Sequence, residues 1–232
     1  KPIGDLGDSG DSWSYDEASN TLTLKTGTFC LRNYGYDSYN NCIKWNVKIE
    51  PGATLQEARI GSEYHNGYTV TNAGTISGGT FYGKVICEAG AVISGGTFKG
   101  AARVDAAGGE VTIEDGTFEE VSYTSGMTVK AAGTLTINGG TFKGKRICSV
   151  DIDNCEKIVI NGGSFESALT DLKRTTEIII NGGLFNEKLY VAGDKCTVNG
   201  GLFTTEDDPL PEGAAVNGGY FTAERDGLVA ID

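Results

Sequence analysis

Apolar and polar residues alternate along this chain in short runs, and the runs end at glycine. The segments "TLTINGGTF" at 134–142, "EIIINGGLF" at 177–185 and "CTVNGGLF" at 196–203 show the pattern. Alternation with a period of two is typical of β-strands, and valine, isoleucine, threonine and phenylalanine favour the same structure. The pattern therefore predicts many short strands, each followed by a glycine-rich turn.

One motif returns at a nearly constant spacing: an apolar residue, a polar residue, usually two glycines, a variable residue and a phenylalanine. Its closing residues are Phe81, Phe98, Phe118, Phe142, Phe165, Phe185, Phe203 and Phe221. Successive copies lie 17 to 24 residues apart, with a mean of 20. Repeats of two packed helices need at least ~33 residues, so this unit predicts one strand-rich coil. We predict an all-β fold, a right-handed parallel β-helix with rungs of roughly 20 residues.

The motif also predicts columns of stacked side chains. Rungs about 4.8 Å apart would place phenylalanine on phenylalanine in the core and join the asparagine amides into a ladder. The ladder residues are Asn138, Asn161, Asn181, Asn199 and Asn217, with Ser77 and Ser94 in the same position of earlier rungs. Glu114 is expected to break the ladder. Asn-Gly-Gly itself is expected to bend through left-handed backbone at asparagine and glycine.

The N-terminal residues depart from the repeat. Residues 1–44 are predicted to form a cap with a hairpin, in which "DEASN" connects a strand containing Trp13 and Tyr15 to "TLTL". Such a cap would cover the exposed strand edges at the end of the solenoid. "LKTGTF" at 24–29 is interpreted as a degenerate motif copy, and residues 45–232 are assigned to the β-helix.

This repeat resembles the right-handed parallel β-helix (pectate-lyase-like) superfamily, whose members carry an asparagine ladder at one turn. The opening "WSYDEASNTLTL" at 13–24, followed by "SGGTF" repeats, is also similar to surface proteins of clostridial bacteria with β-helix, carbohydrate-binding-type domains. The resemblance covers roughly residues 70–232 and implies the fold. It implies no single activity, because this fold hosts lyases, hydrolases, adhesins and binders. The calcium-binding aspartates and catalytic arginine of pectate lyases have no matching motif here.

The overall charge narrows the choice of partners. The formal net charge is −12 and the sequence pI is about 4.6, which argues against nucleic acid or an anionic membrane as a partner. An acidic polysaccharide would bind closely only with calcium between the two. No stretch is long and apolar enough to span a membrane.

The six cysteines do not predict a disulfide framework. Stacking would keep most of them apart, and most are expected to be buried thiols that act as small hydrophobic groups. Cys30 and Cys42 flank a loop and are the best candidate pair, and Cys148–Cys155 is a weaker one. Without a Cys-x-x-Cys motif and with a single histidine, a zinc site is not expected.

One charged cluster provides a candidate catalytic site. Lys145, Arg146, Asp151 and Asp153 lie in a long rung, and alternation would place both aspartates on one face of a strand. Two carboxylates can bind Ca²⁺ or act as an acid and base pair, and a lyase would use Lys145 or Arg146 as its base. The simpler interpretation is that these charges face solvent, as charges on outward strand positions usually do. We favour it, so no cofactor is predicted, with calcium as the one alternative.

A tyrosine-rich loop provides a candidate binding site. Tyr34, Tyr36 and Tyr39 stand among glycine and asparagine residues, with Arg32 and Asp37 beside them. Flat aromatic rings with polar neighbours suit sugar rings or a protein partner, and the same tyrosines would also cover the open end of the solenoid.

These observations favour a non-catalytic module for adhesion or carbohydrate binding, at the surface of a bacterium or outside it. The alternatives are a polysaccharide lyase or glycoside hydrolase that acts on an acidic polysaccharide, and a purely structural stalk. The ligand, the oligomeric state and the pairing of the cysteines do not follow from the sequence.

Overall fold

The chain coils into a parallel β-solenoid built almost entirely of short strands. A computed structural model describes residues 12–31, 43–62, 67–99, 102–119, 127–143, 146–149, 155–166, 168–171 and 177–222. The first twelve strands are β1 (Trp13–Asp16), β2 (Thr21–Leu24), β3 (Gly27–Leu31), β4 (Asn46–Ile49), β5 (Ala53–Ile60), β6 (Thr69–Asn72), β7 (Thr75–Ile76), β8 (Thr80–Phe81), β9 (Lys84–Cys87), β10 (Val92–Phe98), β11 (Ala102–Glu119) and β12 (Met127–Ile137). The others are β13 (Thr141–Lys143), β14 (Arg146–Ser149), β15 (Cys155–Ile160), β16 (Ser164–Phe165), β17 (Ala168–Asp171), β18 (Glu177–Ile180), β19 (Leu184–Phe185), β20 (Cys196–Val198), β21 (Leu202–Phe203), β22 (Ala215–Val216) and β23 (Tyr220–Phe221). The described residues include no α-helix, and one 3₁₀ turn covers Gly193–Lys195.

The strands form three parallel sheets that run along the solenoid, and some strands bend from one sheet into the next. The first sheet contains β2, β4, β6, β9, the beginnings of β11 and β12, β14 and β17. The second contains β3, β5, β7, β10, the middle of β11, the end of β12, β15, β18, β20 and β22. The third contains the end of β5, β8, the ends of β10 and β11, β13, β16, β19, β21 and β23.

The predicted phenylalanine stack forms the centre of the core. The eight motif rings lie in one column from Phe81 to Phe221, and neighbouring ring centroids are 4.7–5.0 Å apart. Their planes differ by 2–13°, so successive rungs hardly rotate with respect to one another. The fold class, the rung length and the phenylalanine stack predicted from the sequence are confirmed.

The second column of the core holds the apolar residue that precedes the motif asparagine or its equivalent. It contains Phe29, Leu55, Ile76, Ile93, Ile113, Ile137, Ile160, Ile180, Val198 and Val216 in parallel register. Phe29 therefore pairs with Leu55 and belongs to this column. The interpretation of "LKTGTF" as a motif copy was wrong, because that phenylalanine is out of register with the phenylalanine stack.

The two motif glycines have separate roles. The second glycine has a positive φ in every copy from Gly140 (+99°) to Gly219 (+114°), whereas the only described non-glycine residue with a positive φ is Asn20. The motif asparagines are thus not left-handed, which corrects the prediction for the bend. The first glycine fits against the rung before it: a Cβ on Gly162 would lie 2.4 Å from the carbonyl oxygen of Asn138. In the copy with Asp115 at that position, the register between β10 and β11 shifts.

A hairpin begins the described chain, as predicted. Strand β1 pairs antiparallel with β2 from Trp13 against Leu24 to Asp16 against Thr21, and the Trp13 side chain is buried. The Asp16 carboxylate accepts hydrogen bonds from the Ala18 N–H and the Ser19 hydroxyl, which close the turn. Parallel pairing starts immediately afterwards, between β2 and β4. The division of the chain at residue 44 stays a prediction.

One polar side chain lies inside the first sheet. Asn72 is 0% exposed and follows Ile49 in an otherwise apolar column. Its Oδ1 accepts from the Gly74 N–H at 3.0 Å, and its Nδ2 donates to the Val92 carbonyl at 3.4 Å. The Nδ2 also lies 4.0 Å from Sγ of Cys87, the next residue in the column. A buried amide is tolerated here because backbone groups satisfy it.

Cys30 and Cys87 are thiols that form no disulfide bond. Cys87 and Cys196 are buried, as predicted, and Cys30 is exposed with its Sγ 3.6 Å from Oε1 of Gln56. The suggested Cys30–Cys42 pair is therefore not formed, although Cys42 itself lies outside the described residues. The Cys148–Cys155 pair stays a prediction, because both side chains lie outside the part of the molecule that the structure describes.

These environments predict very different thiol reactivity. Burial raises the pKa of Cys87 from 9.0 to about 12, and the thiolate is the reactive form. We expect iodoacetamide at pH 8 to modify Cys30 in the native protein and to spare Cys87 until the chain is unfolded. Peptide mapping by mass spectrometry measures both. Equal rates at the two sites in the native state would contradict the buried position of Cys87.

The raised pKa of Cys87 also determines how the stability of the fold changes with pH. The unfolded chain loses the Cys87 proton near pH 9, whereas the folded chain keeps it up to about pH 12. Between these values the unfolded state binds fewer protons, so this group's contribution to stability falls as the pH rises.

Candidate binding face

The outward side of the second sheet carries three columns of side chains, which together we call the ladder face. Along a strand, the columns are two residues apart, or about 7 Å. The small rotation between rungs keeps each column nearly straight. The face is therefore a flat grid with a repeat set by the rung spacing.

The asparagine ladder forms one edge of this face. Asn161, Asn181, Asn199 and Asn217 each donate from Nδ2 to Oδ1 of the preceding asparagine, at 2.8–2.9 Å. All of these side chains are exposed. The ladder predicted from the sequence is confirmed, and every amide points its donor toward the N-terminal end of the solenoid.

Glu114 ends this ladder as an acceptor. The Nδ2 of Asn138 donates to its Oε2 at 3.0 Å. The expectation that Glu114 breaks the ladder was wrong, because the first member of a one-directional ladder needs only to accept, and an ionised carboxylate accepts well. Ser77, in the same column, donates weakly to the Leu55 carbonyl at 3.5 Å and belongs to no amide ladder.

The middle column consists of β-branched side chains, which we call the β-branched column. Its members are half-buried and in parallel register: Thr54, Thr75, Val92, Thr112, Thr136, Val159, Ile179 and Thr197. Sequence reasoning missed it because the individual strands read "TLTI", "KIVI" and "EIII" and appear unlike one another. The signal is position, because each of these residues lies two before the polar residue of its rung. The column begins at Thr28, which is in register with Thr54, and it ends at Ala215, which is in register with Thr197 and is not β-branched.

The third column carries charges and hydroxyl groups. Glu110, Thr134, Lys157 and Glu177 follow one another in register. Lys157 and Glu177 form an exposed ion pair at 2.9 Å, and the Thr136 hydroxyl donates to Glu110. Ion pairs this exposed contribute little stability, so the column mainly fixes the local charge beside the face.

The site residues predicted from the sequence lie largely beyond the described ranges. These residues are Arg32, Tyr34, Tyr36, Asp37, Tyr39, Lys145, Asp151 and Asp153. Arg146 begins β14, where its backbone is in register with Met127 and Ala168. The binding and catalytic hypotheses for these two groups stay predictions.

The described residues contain no group of three histidine, cysteine, aspartate or glutamate side chains placed to hold a metal ion. Within the same ranges, no helix has the length and hydropathy to cross a membrane. Comparisons of the chain with protein-family models, with curated proteins and with solved structures found no match.

Proposed function

We propose that this chain is a non-catalytic binding module that attaches to a polysaccharide along the ladder face. The observation that carries the proposal is the repetition of the same outward groups from rung to rung. A periodic surface suits a periodic ligand, because each added sugar unit meets the same groups again. Catalysis instead needs a few unlike groups that converge on one bond.

The ladder leaves hydrogen-bonding capacity on every rung. A primary amide has two N–H donors and two acceptor lone pairs, and the ladder uses one of each in Asn161, Asn181 and Asn199. One donor and one acceptor per rung remain for solvent or a ligand. Sugar hydroxyl groups both donate and accept, so they match this row of amides.

The β-branched column supplies a complementary apolar strip beside the amides. Its methyl groups are half-buried in the sheet, and β-branched side chains have few rotamers. Little side-chain freedom is therefore lost when a ligand covers them, which favours binding. The apolar face of a sugar ring fits such a strip.

The repeat sequence supports a location and a class of partner. The repeat is similar to pectate-lyase-like β-helices and to clostridial surface proteins with carbohydrate-binding-type domains, so we propose an extracellular module on a bacterial surface. We also propose that the loop with Tyr34, Tyr36 and Tyr39 adds contacts at one end. The partner is a polysaccharide or surface glycan, not nucleic acid.

Affinity electrophoresis through gels that contain neutral or acidic polysaccharides, with and without calcium, tests this function. We expect retention by at least one polymer and no release of reducing or unsaturated ends. The double substitution Thr75→Lys with Val92→Lys places two long side chains on the β-branched column. It should weaken retention at least about tenfold, a loss of about 1.4 kcal/mol.

A matched variant controls for the added charge. Thr71 and Ile86 are half-buried outward residues of the first sheet, in the same two rungs as Thr75 and Val92. Thr71→Lys with Ile86→Lys should leave retention within about twofold of the wild type. Equal losses in both variants would place binding elsewhere, product formation would establish an enzyme, and no retention by any polymer would overturn the proposal.

A further inference from the structure

The outward side of the third sheet, which we call the charge face, carries an alternating row of charges. The residue after the motif phenylalanine is Lys99, Glu119, Lys143 and Glu166 in four successive rungs. Lys99 Nζ and Glu119 Oε2 are 3.7 Å apart, and Glu119 is in register with Lys143. The four side chains are exposed or half-buried.

This row is neutral in an otherwise acidic chain. Two lysines balance two glutamates, whereas the whole sequence has a formal net charge of −12. Two copies of such a chain repel each other on most of their surface. The charge face is a region where that repulsion is absent.

Beside the charged row, the charge face carries a column of mostly short side chains. One position before each phenylalanine, Thr80, Thr97, Thr117, Thr141 and Ser164 form a half-buried column. The same column continues with Leu184, Leu202 and Tyr220, of which Leu202 is 42% and Tyr220 59% exposed. The short side chains of this column leave room for the charged side chains of a second copy, and the leucines add apolar surface at one end.

We propose that two copies of this chain pair through the charge face as an antiparallel two-fold dimer. A two-fold axis that runs along the strand direction between Glu119 and Lys143 would reverse the order of the rungs. Lys99 would then face Glu166 of the other copy, and Glu119 would face its Lys143. Each such pair occurs twice, as an isologous interface requires.

The row of charges also determines how the two copies are oriented relative to each other. A two-fold axis parallel to the solenoid would place Lys99 opposite Lys99 and Glu119 opposite Glu119, and facing like charges are unfavourable. In the antiparallel arrangement, Leu184 faces Thr80 of the other copy and Leu202 faces its Arg59. The guanidinium of Arg59 already lies 5.4 Å from the centre of the Tyr82 ring, which holds it on this face.

The small width of the charge face limits the expected affinity of the dimer. It is only two or three residues wide, so it buries less than the roughly 800 Å² per partner of a standard interface. The dimer should therefore be weak and depend on protein concentration. Sedimentation velocity in about 0.15 M salt, where charges are screened beyond about 8 Å, measures it from micromolar to millimolar protein.

Two charge-swap variants separate this dimer from simple neutralisation within one chain. Glu119→Lys with Lys143→Glu keeps every antiparallel pair complementary but places like charges together at two of the three neighbouring positions. Lys99→Glu with Glu119→Lys leaves only one like-charged neighbour but makes all the antiparallel pairs repulsive. Both variants keep the net charge unchanged.

We expect the wild type and the first variant to dimerise and the second to stay monomeric at least to about tenfold higher concentration. Circular dichroism confirms that each variant is folded. A wild type that is monomeric up to millimolar concentration would overturn the proposal. So would dimerisation of both variants to the same extent, because the interface would then lie on another surface.

Discussion

Replacing Phe142 by alanine is expected to lower the free energy of unfolding by about 4 kcal/mol. The Phe142 side chain is 0% exposed, and its ring lies 4.8 Å from Phe118 on one side and 4.8 Å from Phe165 on the other. Alanine would leave a cavity that neither neighbour can fill, because hydrogen bonds between rungs hold both at the rung spacing. It would also remove two aromatic contacts. Equilibrium denaturation in guanidinium, followed by circular dichroism, measures the loss.

The adjacent residue provides the control for this prediction. Thr141 is half-buried and points outward from the same strand. Thr141→Ala removes fewer atoms and opens no internal cavity, so it should cost less than about 1 kcal/mol. A Phe142→Ala variant as stable as Thr141→Ala would show that the solenoid collapses around the missing ring.

Replacing Gly200 by alanine is expected to cost about 3 kcal/mol, the upper part of the range for an overpacked site. Its backbone is not left-handed, so the cost arises from space alone. A Cβ at this position would lie 2.4 Å from the carbonyl oxygen of Asn181. That carbonyl belongs to the rung below, whose backbone cannot retreat without loosening the Asn199–Asn181 hydrogen bond of 2.9 Å. The midpoint of denaturation measures the effect.

Two other glycines provide controls for the Gly200→Ala substitution. Gly67 and Gly90 have no atom within 4 Å of a built Cβ, and Gly90 alone of the two has a positive φ, +87°. Gly67→Ala should therefore be nearly neutral, and Gly90→Ala should cost about 1 kcal/mol from backbone strain alone. If Gly200→Ala fell between these two controls, the close packing of successive turns would not be what requires glycine there.

Most of the fold could be predicted from the sequence because the same physical demand returns in every rung. Phe142, Phe165 and Phe185 occupy equivalent places, so their spacing reports the length of a coil directly. The ladder followed from the same argument, since parallel stacking in register brings Asn161 against Asn181. Repetition thus makes a single sequence informative about its own fold.

Register at the ends of the repeat could not be predicted in this way. Phe29 is followed by few motif signals, and only its pairing with Leu55 shows that it fills the other core column. The role of Glu114 depended on the direction of the ladder, which side-chain composition does not reveal. Asn72 resembles any polar strand residue until the structure shows that its amide is buried and bonded to the backbone.

The candidate face could be predicted only in part. The asparagine column was evident from the motif. The β-branched column was not, because a threonine such as Thr136 and an isoleucine such as Ile179 are chemically unlike and match only in shape and position. The tyrosine-rich segment and the cluster around Asp151 lie outside the copies of the motif, so periodicity carries no information about which of their side chains meet.

The one-way asparagine ladder has a consequence for how such a chain can change in length. Every asparagine from Asn161 to Asn217 offers a donor on one side and an acceptor on the other. Within the ladder, the upper side of any of these asparagines therefore matches the lower side of any other. Duplicating or deleting one 18-residue unit, such as the interval from Asn181 to Asn199, leaves the amide ladder continuous at both junctions. Gene duplication can therefore change the length of this ladder by one rung at a time without interrupting its hydrogen bonds.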